Sequence, residues 1–269
     1  MRHRWTIRRA MAACAALSLV LLLTLPLLAL AIRAVPHLGS LDNREQDVVS
    51  TAIWLSLRTS IVSLAIILIT GIPLSYLLAR HQFRGRAILE TLIDLPMILP
   101  PAVAGLALLM AFGRRGLLGQ YLDAWGIQIG FSTTAVVIAQ IFVSSPFFVR
   151  SATAAFARIP REQEEIAADL GAPPFAVLRT ITIPLAAPGL AAGAVLAWAR
   201  AIGEFGATIM FAGSLPGITQ TLPLAIYGRY EAGGLNTALV MAVILLGSSF
   251  LVLLSVRSLG GKVPSPFGR

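Results

Sequence analysis

Two ionisable residues, Arg200 and Glu204, lie four positions apart in an otherwise apolar stretch of the sequence. Four residues of α-helix turn by about 400°, so the two side chains share one face and can form an ion pair. If the stretch crosses a bilayer, each charge costs about 2.5–3.5 kcal/mol near the midplane, so both groups should face protein or water. Two interpretations remain: a buried structural pair, or a pathway or gate element in which Glu204 holds Arg200 in place.

The segment that follows, from Gly203 to Tyr227, is rich in Gly, Thr, Ser and Pro and is too broken for one continuous helix. Irregular backbone at membrane depth is tolerated only beside protein or a water-filled cavity. Hydroxyl groups in this segment could therefore offer neutral hydrogen bonds to a passing dianion, which a cluster of cations would bind too tightly to release. The candidates are Thr208, Ser214, Thr219 and Thr221.

Residues for other kinds of chemistry are missing from the sequence. Lys262 is the only lysine, and no Gly-Lys-Ser/Thr occurs, so the P-loop of an ATPase is absent. The one cysteine, Cys14, excludes an internal disulfide, and three scattered histidines (His3, His37 and His81) give no metal-ligand spacing. No Ser/His/Asp or Cys/His arrangement is visible. We therefore expect no catalytic residue, metal or cofactor in this chain.

The composition indicates that the bilayer is the solvent. Apolar residues make up 57% of the 269 residues and charged residues only 12%, and the mean hydropathy is +0.83. A helix that spans the hydrocarbon core needs about 20 predominantly apolar residues, and six stretches qualify. They are residues 11–32, 53–78, 97–112, 133–149, 185–211 and 237–256, with prolines blurring the start of the third. We expect an all-α integral membrane protein made of one transmembrane domain, residues 1–269.

The first apolar stretch has a second interpretation. Four arginines precede it, and Ala29-Leu30-Ala31 is similar to a signal-peptidase site. The apolar core of a signal peptide is usually about 7–15 residues long, whereas this stretch has about 22. The length favours a helix that is retained in the mature protein.

The basic residues predict the orientation in the membrane. With six spans, fourteen of the 21 Lys and Arg residues lie on one side and five on the other. Because basic residues concentrate in cytoplasmic loops, we expect both termini in the cytoplasm of a bacterial-type plasma (inner) membrane. A pI near 11.1 would also suit a nucleic-acid binder. The charges, however, are spread along one membrane face without interleaved aromatic residues, so orientation and attraction to membrane lipid explain them better.

A stripe of small residues in the fifth stretch, with spacing of four, lets helices approach closely in lipid. It consists of Gly189, Gly193, Ala197 and Ala201. Packing within the chain is the simpler interpretation, and a contact between subunits is the more specific one.

The loop between the fourth and fifth stretches, about residues 158–183, is far more polar than its surroundings and lies on the predicted cytoplasmic side. Pro160, acids in the following turn and Gly171 are helix start and stop signals, and Pro173-Pro174 begins a second short helix that should end at Ile183-Pro184. We expect two short helices around a Gly171 hinge. Their apolar faces could pack against the membrane domain or into a partner's groove, and a solvated linker is the alternative.

This loop resembles the "EAA" loop of ABC importer permeases. The family pattern is Glu-Ala-Ala, three residues, Gly, nine residues and Ile-x-Leu-Pro, and the spacing matches throughout. Ile166 and Ile183 replace an Ala and the Leu, both by apolar residues. The resemblance implies a type I ABC importer permease fold whose coupling helix inserts into a separate ATPase subunit, which binds ATP and Mg. The implied coupling residues are Glu165, Ala167, Ala168, Gly171, Ile181 and Pro184.

Residues 94–106, 112–119 and 200–227 resemble the molybdate permease subunits of that family. Sulfate permeases share Arg-Ala-Ile/Met-Gly-Glu, here Arg200 to Glu204, and diverge afterwards. The resemblance implies a homodimer that imports molybdate, or its analogue tungstate, from an external oxyanion-binding protein. The alternatives are a sulfate or thiosulfate permease and an ion-driven secondary transporter. A secondary transporter should carry internal repeats with broken spans, and no repeat is visible.

Overall fold

The computed structural model describes residues 2–39 and 41–260, and every regular element in these ranges is helical. A 3-10 turn, Val35–His37, follows the first helix, and a π-helical turn, Leu178–Thr182, precedes the ninth. The α-helices are α1 (Arg2–Ala34), α2 (Asn43–Arg80), α3 (Arg86–Ile98), α4 (Pro101–Phe112), α5 (Gly119–Ala124), α6 (Thr133–Ala157), α7 (Arg161–Asp169), α8 (Pro174–Val177), α9 (Ile183–Ile202), α10 (Gly206–Ala212), α11 (Leu222–Glu231) and α12 (Leu235–Gly260).

Four predicted spans coincide with helices that are long and apolar enough to cross a membrane. Within the described residues these helices are Met11–His37, Asn43–Arg80, Thr133–Ala157 and Pro174–Ile202. The bent pair α3 and α4 supplies a fifth span if it is counted as one. The sixth predicted span falls on α12, whose described apolar part, Leu235–Leu251, is shorter than the four. Among the described residues, four or five of the six predicted spans are therefore present, and the sixth lies on α12, a helix of 26 residues.

The third predicted span is not a single helix that begins at Met97. Helix α3 starts earlier, at Arg86, and meets α4 at an angle of 118°. Proline disfavours a helical conformation in the residue before it, and Leu99, which precedes Pro100, is extended (φ −64°, ψ 135°). Pro101 then opens α4, where its missing N–H leaves no helical bond unmade.

The fifth predicted span also differs from the structure. Helix continues from Pro174 through Ile202 without the expected break at Ile183-Pro184, and α10 is separate. Pro184 has no N–H to donate to the preceding turn. The chain compensates with a π-helical turn, in which the Ile183 N–H bonds to the Leu178 carbonyl, five residues back. The short second helix of the loop is thus rigidly continuous with α9.

Helices α2, α6 and α9 form the centre of the structure. A methyl group added at Gly71 on α2 would lie 2.7 Å from Phe148 Cδ1 on α6. One added at Gly193 on α9 would lie 2.8 Å from Ser151 Cβ, also on α6. The small-residue stripe of α9 therefore packs against α6 of the same chain, which is the simpler of the two interpretations.

Buried hydroxyl and amide groups link these helices at the level of the membrane. Ser63 Oγ donates to Gln140 Oε1 at 2.9 Å, and Gln140 Nε2 donates to Thr59 Oγ1 at 3.2 Å. Trp198 Nε1 of α9 donates to Ser60 Oγ at 3.0 Å. Lipid offers no hydrogen bonds, so these groups satisfy one another and join α2 to both of its neighbours.

We predict that Gly193→Leu destabilises the folded protein. Overpacking of this kind costs about 1–3 kcal/mol, because α6 and α9 must separate to admit the side chain. Gly247→Leu on α12 is the control, since a methyl group there meets nothing within 4 Å. Melting temperatures in one detergent should fall for the first variant and stay near wild type for the second. Equal melting temperatures for both variants would contradict the packing.

Candidate functional site

The polar loop folds as two helical segments that turn at Gly171, as predicted. Helix α7 has Glu162 and Glu164 in its first turn, where acidic side chains favour the helix dipole. Gly171 has a φ of +87°, a conformation that side-chain-bearing residues rarely adopt, and α8 begins three residues later at Pro174. The backbone thus reverses tightly between α7 and α8.

One surface of this loop is apolar and exposed. Leu170 is 84% exposed, and Ile166 and Phe175 are also largely exposed. Several exposed apolar side chains on one short loop are typical of protein interaction sites. The predicted coupling residues Glu165, Ala168, Gly171 and Pro184 are exposed as well, whereas Ala167 and Ile181 are partly buried against the rest of the chain.

The opposite side of α7 is fastened by a buried ion pair. Glu164 Oε1 accepts from Arg80 Nη2 at 2.9 Å and from Thr182 Oγ1 at 2.8 Å. The side chains of Arg80 and Glu164 are only 7% and 14% exposed. One carboxylate therefore joins α7 to the last turn of α2 and to the π-helical turn that leads into α9.

Further bonds from two arginines complete this junction. Arg80 Nη1 donates to the Ile159 carbonyl at 3.0 Å, and Arg161 Nη2 donates to the Arg80 carbonyl at 2.8 Å. The sequence did not predict this junction, because Arg80 lies 79 to 84 positions from its partners. A local pattern could have indicated that Glu164 points inward. Glu164 and Ala167 lie three positions apart and so share one face of α7, opposite the exposed Ile166.

The pair predicted at the end of α9 is present. Arg200 Nη2 lies 2.5 Å from Glu204 Oε2 in a charge–charge contact, and the Glu204 side chain is 1% exposed. Glu204 Oε1 accepts from the Ala207 N–H at 2.7 Å, at the start of α10. The carboxylate thus binds the end of α9 to α10.

The hydroxyl candidates lie in different surroundings. Thr208, Thr219 and Thr221 are buried, while Ser214 is partly exposed. Thr219 Oγ1 accepts from the Leu215 N–H at 2.9 Å, so it stabilises the local turn.

A cavity of about 130 Å³ at the kink between α3 and α4 is lined by Arg200 but by none of these hydroxyl residues. Within the described residues, no group of three or more His, Cys, Asp or Glu side chains could hold a metal.

Comparison with known proteins identifies the family. Residues 71–263 match the model of the binding-protein-dependent transport system inner membrane component. The chain belongs to this family of inner-membrane permeases. Its members are transport components of ABC systems rather than enzymes.

Individual relatives of this permease agree with the match. The chain is 43% identical over 91% of both chains to the molybdenum transport system permease protein ModB of Mycobacterium bovis. It is 40% identical to ModB of Escherichia coli (strain K12), over 76% of this chain and 90% of that protein.

Solved structures show the same fold. A bacterial ABC transporter involved in the import of the acidic polysaccharide alginate superposes with a TM-score of 0.74 at 16% identity, covering 98% of both chains. The MetNI methionine ABC transporter, in an inward-facing form, gives 0.59 at 20% identity, covering 81% of this chain and 99% of that one. These likenesses confirm the type I importer permease fold.

We predict that Glu164→Gln loosens α7 from the membrane domain. A hydrogen bond to a charged group contributes about 1.5–3 kcal/mol, so amide hydrogens of α7 should exchange about tenfold faster or more. Glu162→Gln is the matched control, because this glutamate lies exposed in the same helical turn. Hydrogen exchange followed by mass spectrometry measures both. Equal exchange rates in the two variants would show that the Glu164 junction does not hold the loop.

Proposed function

We propose that this permease is the transmembrane subunit of an ATP-driven importer that moves molybdate, and its analogue tungstate, into the cytoplasm. The observation that carries the proposal is the 43% identity over 91% of both chains to a protein named as a molybdenum transport permease. The coupling loop supports it, because it has an exposed apolar face on one side and a buried anchor on the other.

A separate ATPase subunit is the proposed energy source. The chain lacks a P-loop, and the exposed side chains of Ile166, Leu170 and Phe175 form a surface suited to a groove on that subunit. Glu165 and Gly171, which belong to the "EAA" pattern, lie on the same loop. The ATPase subunit binds ATP and Mg, and two copies of it face a homodimer of this permease.

An external oxyanion-binding protein is the proposed source of substrate. One structural neighbour with a TM-score of 0.72 is an alginate ABC transporter in complex with a substrate-bound periplasmic protein. In our proposal the binding protein docks on the face opposite the coupling loop. ATP binding and hydrolysis in the partner then switch the pathway between outward-facing and inward-facing states.

The proposed orientation places both termini in the cytoplasm. The contact between Arg80 and Glu164 supports it, because the end of α2 and the coupling loop must then lie on one side. The fourteen-to-five distribution of basic residues assigns that side to the cytoplasm. Arg257 contributes to this count from the end of α12, while Lys262 and Arg269 lie outside the described residues.

The contacts of Glu164 connect the coupling loop, where the ATPase subunit binds, to the membrane helices. Movement of α7 pulls on Arg80 at the end of α2 and on Thr182 at the base of α9. Because the helix is continuous from Pro174 to Ile202, a tilt of α8 reaches the far end of α9. The pathway therefore responds to the ATPase through two membrane helices at once.

We predict ATP-dependent uptake of labelled molybdate by proteoliposomes that contain the permease, its ATPase subunit and the binding protein. Excess tungstate should compete, and excess sulfate should not. Vesicles that contain the permease alone, with an ion gradient, are the control and should take up none. Competition by sulfate would favour the sulfate permease alternative, and gradient-driven uptake by the permease alone would favour a secondary transporter.

A further inference from the structure

Arg200 lies level with the middle of the membrane domain. Gly193 of α9 packs on Ser151 of α6, and the two helices run antiparallel. Two further turns along α9 bring residue 200 level with the stretch between Val143 and Phe147, near the midpoint of α6 (Thr133–Ala157). The penalty for a charged side chain is greatest at this depth. A guanidinium here is consequently expected to serve a partner or a ligand.

Arg200 lines a cavity of about 130 Å³ at the elbow between α3 and α4. Among the described residues that line it, Arg200 is the only one that carries a charge. The remaining lining residues are all apolar: Pro96, Met97, Leu99, Pro101, Ala104, Val143 and Phe147. An anion that enters this cavity would meet one cationic group on an otherwise apolar wall.

The two members of the ion pair differ in their access to the cavity. The Arg200 side chain is 29% exposed, whereas the Glu204 side chain is 1% exposed. Glu204 is also held by the backbone, since its Oε1 accepts a hydrogen bond from the Ala207 N–H at 2.7 Å. The carboxylate therefore restrains Arg200 without facing an incoming anion.

Glu204 is also connected to the wall of the cavity, through helix α10. Helix α10, which begins beside Glu204, packs so closely on α4 that a methyl group added at Gly105 would lie 2.6 Å from the Ala207 carbonyl oxygen. The elbow of α3 and α4 and the arginine are thus joined through one short helix. A shift of α4 relative to α9 changes the distance between Arg200 and the opposite wall.

We propose that Arg200 is the mid-membrane contact for the tetrahedral oxyanion dianion, and that Glu204 is a positioning residue that keeps this contact weak enough for release. The inference rests on the proposed function. An arginine presents paired N–H donors that match two oxygens of such an anion. The Glu204 carboxylate offsets most of the charge of Arg200, so the anion is attracted but not trapped.

The decisive variant is the double substitution Arg200→Gln with Glu204→Gln. Arg200→Gln alone would leave a buried carboxylate unpaired and would destabilise the fold, whereas the double variant removes both charges together. We expect molybdate uptake by the complete transport complex to fall about tenfold to a hundredfold, because charge-assisted hydrogen bonds to the anion are lost. Stimulation of ATP hydrolysis by the loaded binding protein should persist. Wild-type uptake by this double variant would overturn the proposal.

Two single variants test the parts separately. Arg200→Lys keeps the charge and the pair but loses the planar fork, so its uptake rate should lie between wild type and the double variant. Glu204→Gln keeps an acceptor for the Ala207 N–H and frees Arg200 to hold the anion longer. It should lower both the maximal rate and the half-saturating concentration. A maximal rate equal to wild type in Glu204→Gln would refute the positioning role.

The control is Arg84→Gln, which removes the charge of an exposed arginine in the turn between α2 and α3, outside the spans and away from the cavity. Its uptake should match wild type, and an equal loss in this variant would contradict a specific role for Arg200. Molybdate import by the wild-type complex distinguishes a failure of the proposed function from a failure of the role of Arg200. If it imports no molybdate, the proposed function fails, whereas normal wild-type import with an unaffected double variant refutes only the role of Arg200.

Discussion

The absence of water inside the bilayer is the constraint on which this structure depends. Lipid offers no hydrogen bond to a hydroxyl, amide or charge within the spans, so partners inside the protein stabilise such groups. Gln140 of α6 and Trp198 of α9 do so through hydroxyls of α2, and these bonds hold the three central helices in register. Glu204 meets the same demand through Arg200 and the Ala207 N–H. Polar groups therefore determine how these helices are arranged.

The same constraint distinguishes the two faces of α7. The inner face of α7 is fastened by a buried carboxylate to α2 and to the base of α9, whereas its outer face carries exposed apolar side chains. At mid-membrane the elbow between α3 and α4 leaves a cavity that Arg200 lines. In our proposal the ATPase subunit pulls on two central helices at one end, and the distance between Arg200 and the elbow changes in response.

Much of this architecture was predictable from the sequence, because it rests on local patterns. Apolar length located the long helices, and proline and glycine located the turn at Gly171. The spacing of four residues correctly predicted that Arg200 pairs with Glu204. Contacts between distant segments were not predictable: Arg80 and Glu164 lie on different helices, and neither marks its partner in the sequence. The 118° bend between α3 and α4 was not predicted either, because the prolines there only blurred the start of the third predicted span.

In our proposal a separate ATPase acts on this permease through the exposed face of α7. The most direct test is the affinity of the ATPase subunit for the detergent-solubilised permease in which Ile166 and Leu170 are each changed to Asp. Leu117→Asp, at an exposed apolar position outside the coupling loop, is the control. We expect Kd to rise about tenfold or more for each loop variant and to stay unchanged for the control, because burying a charge in an apolar groove costs binding free energy. Unchanged affinity in both loop variants would contradict it.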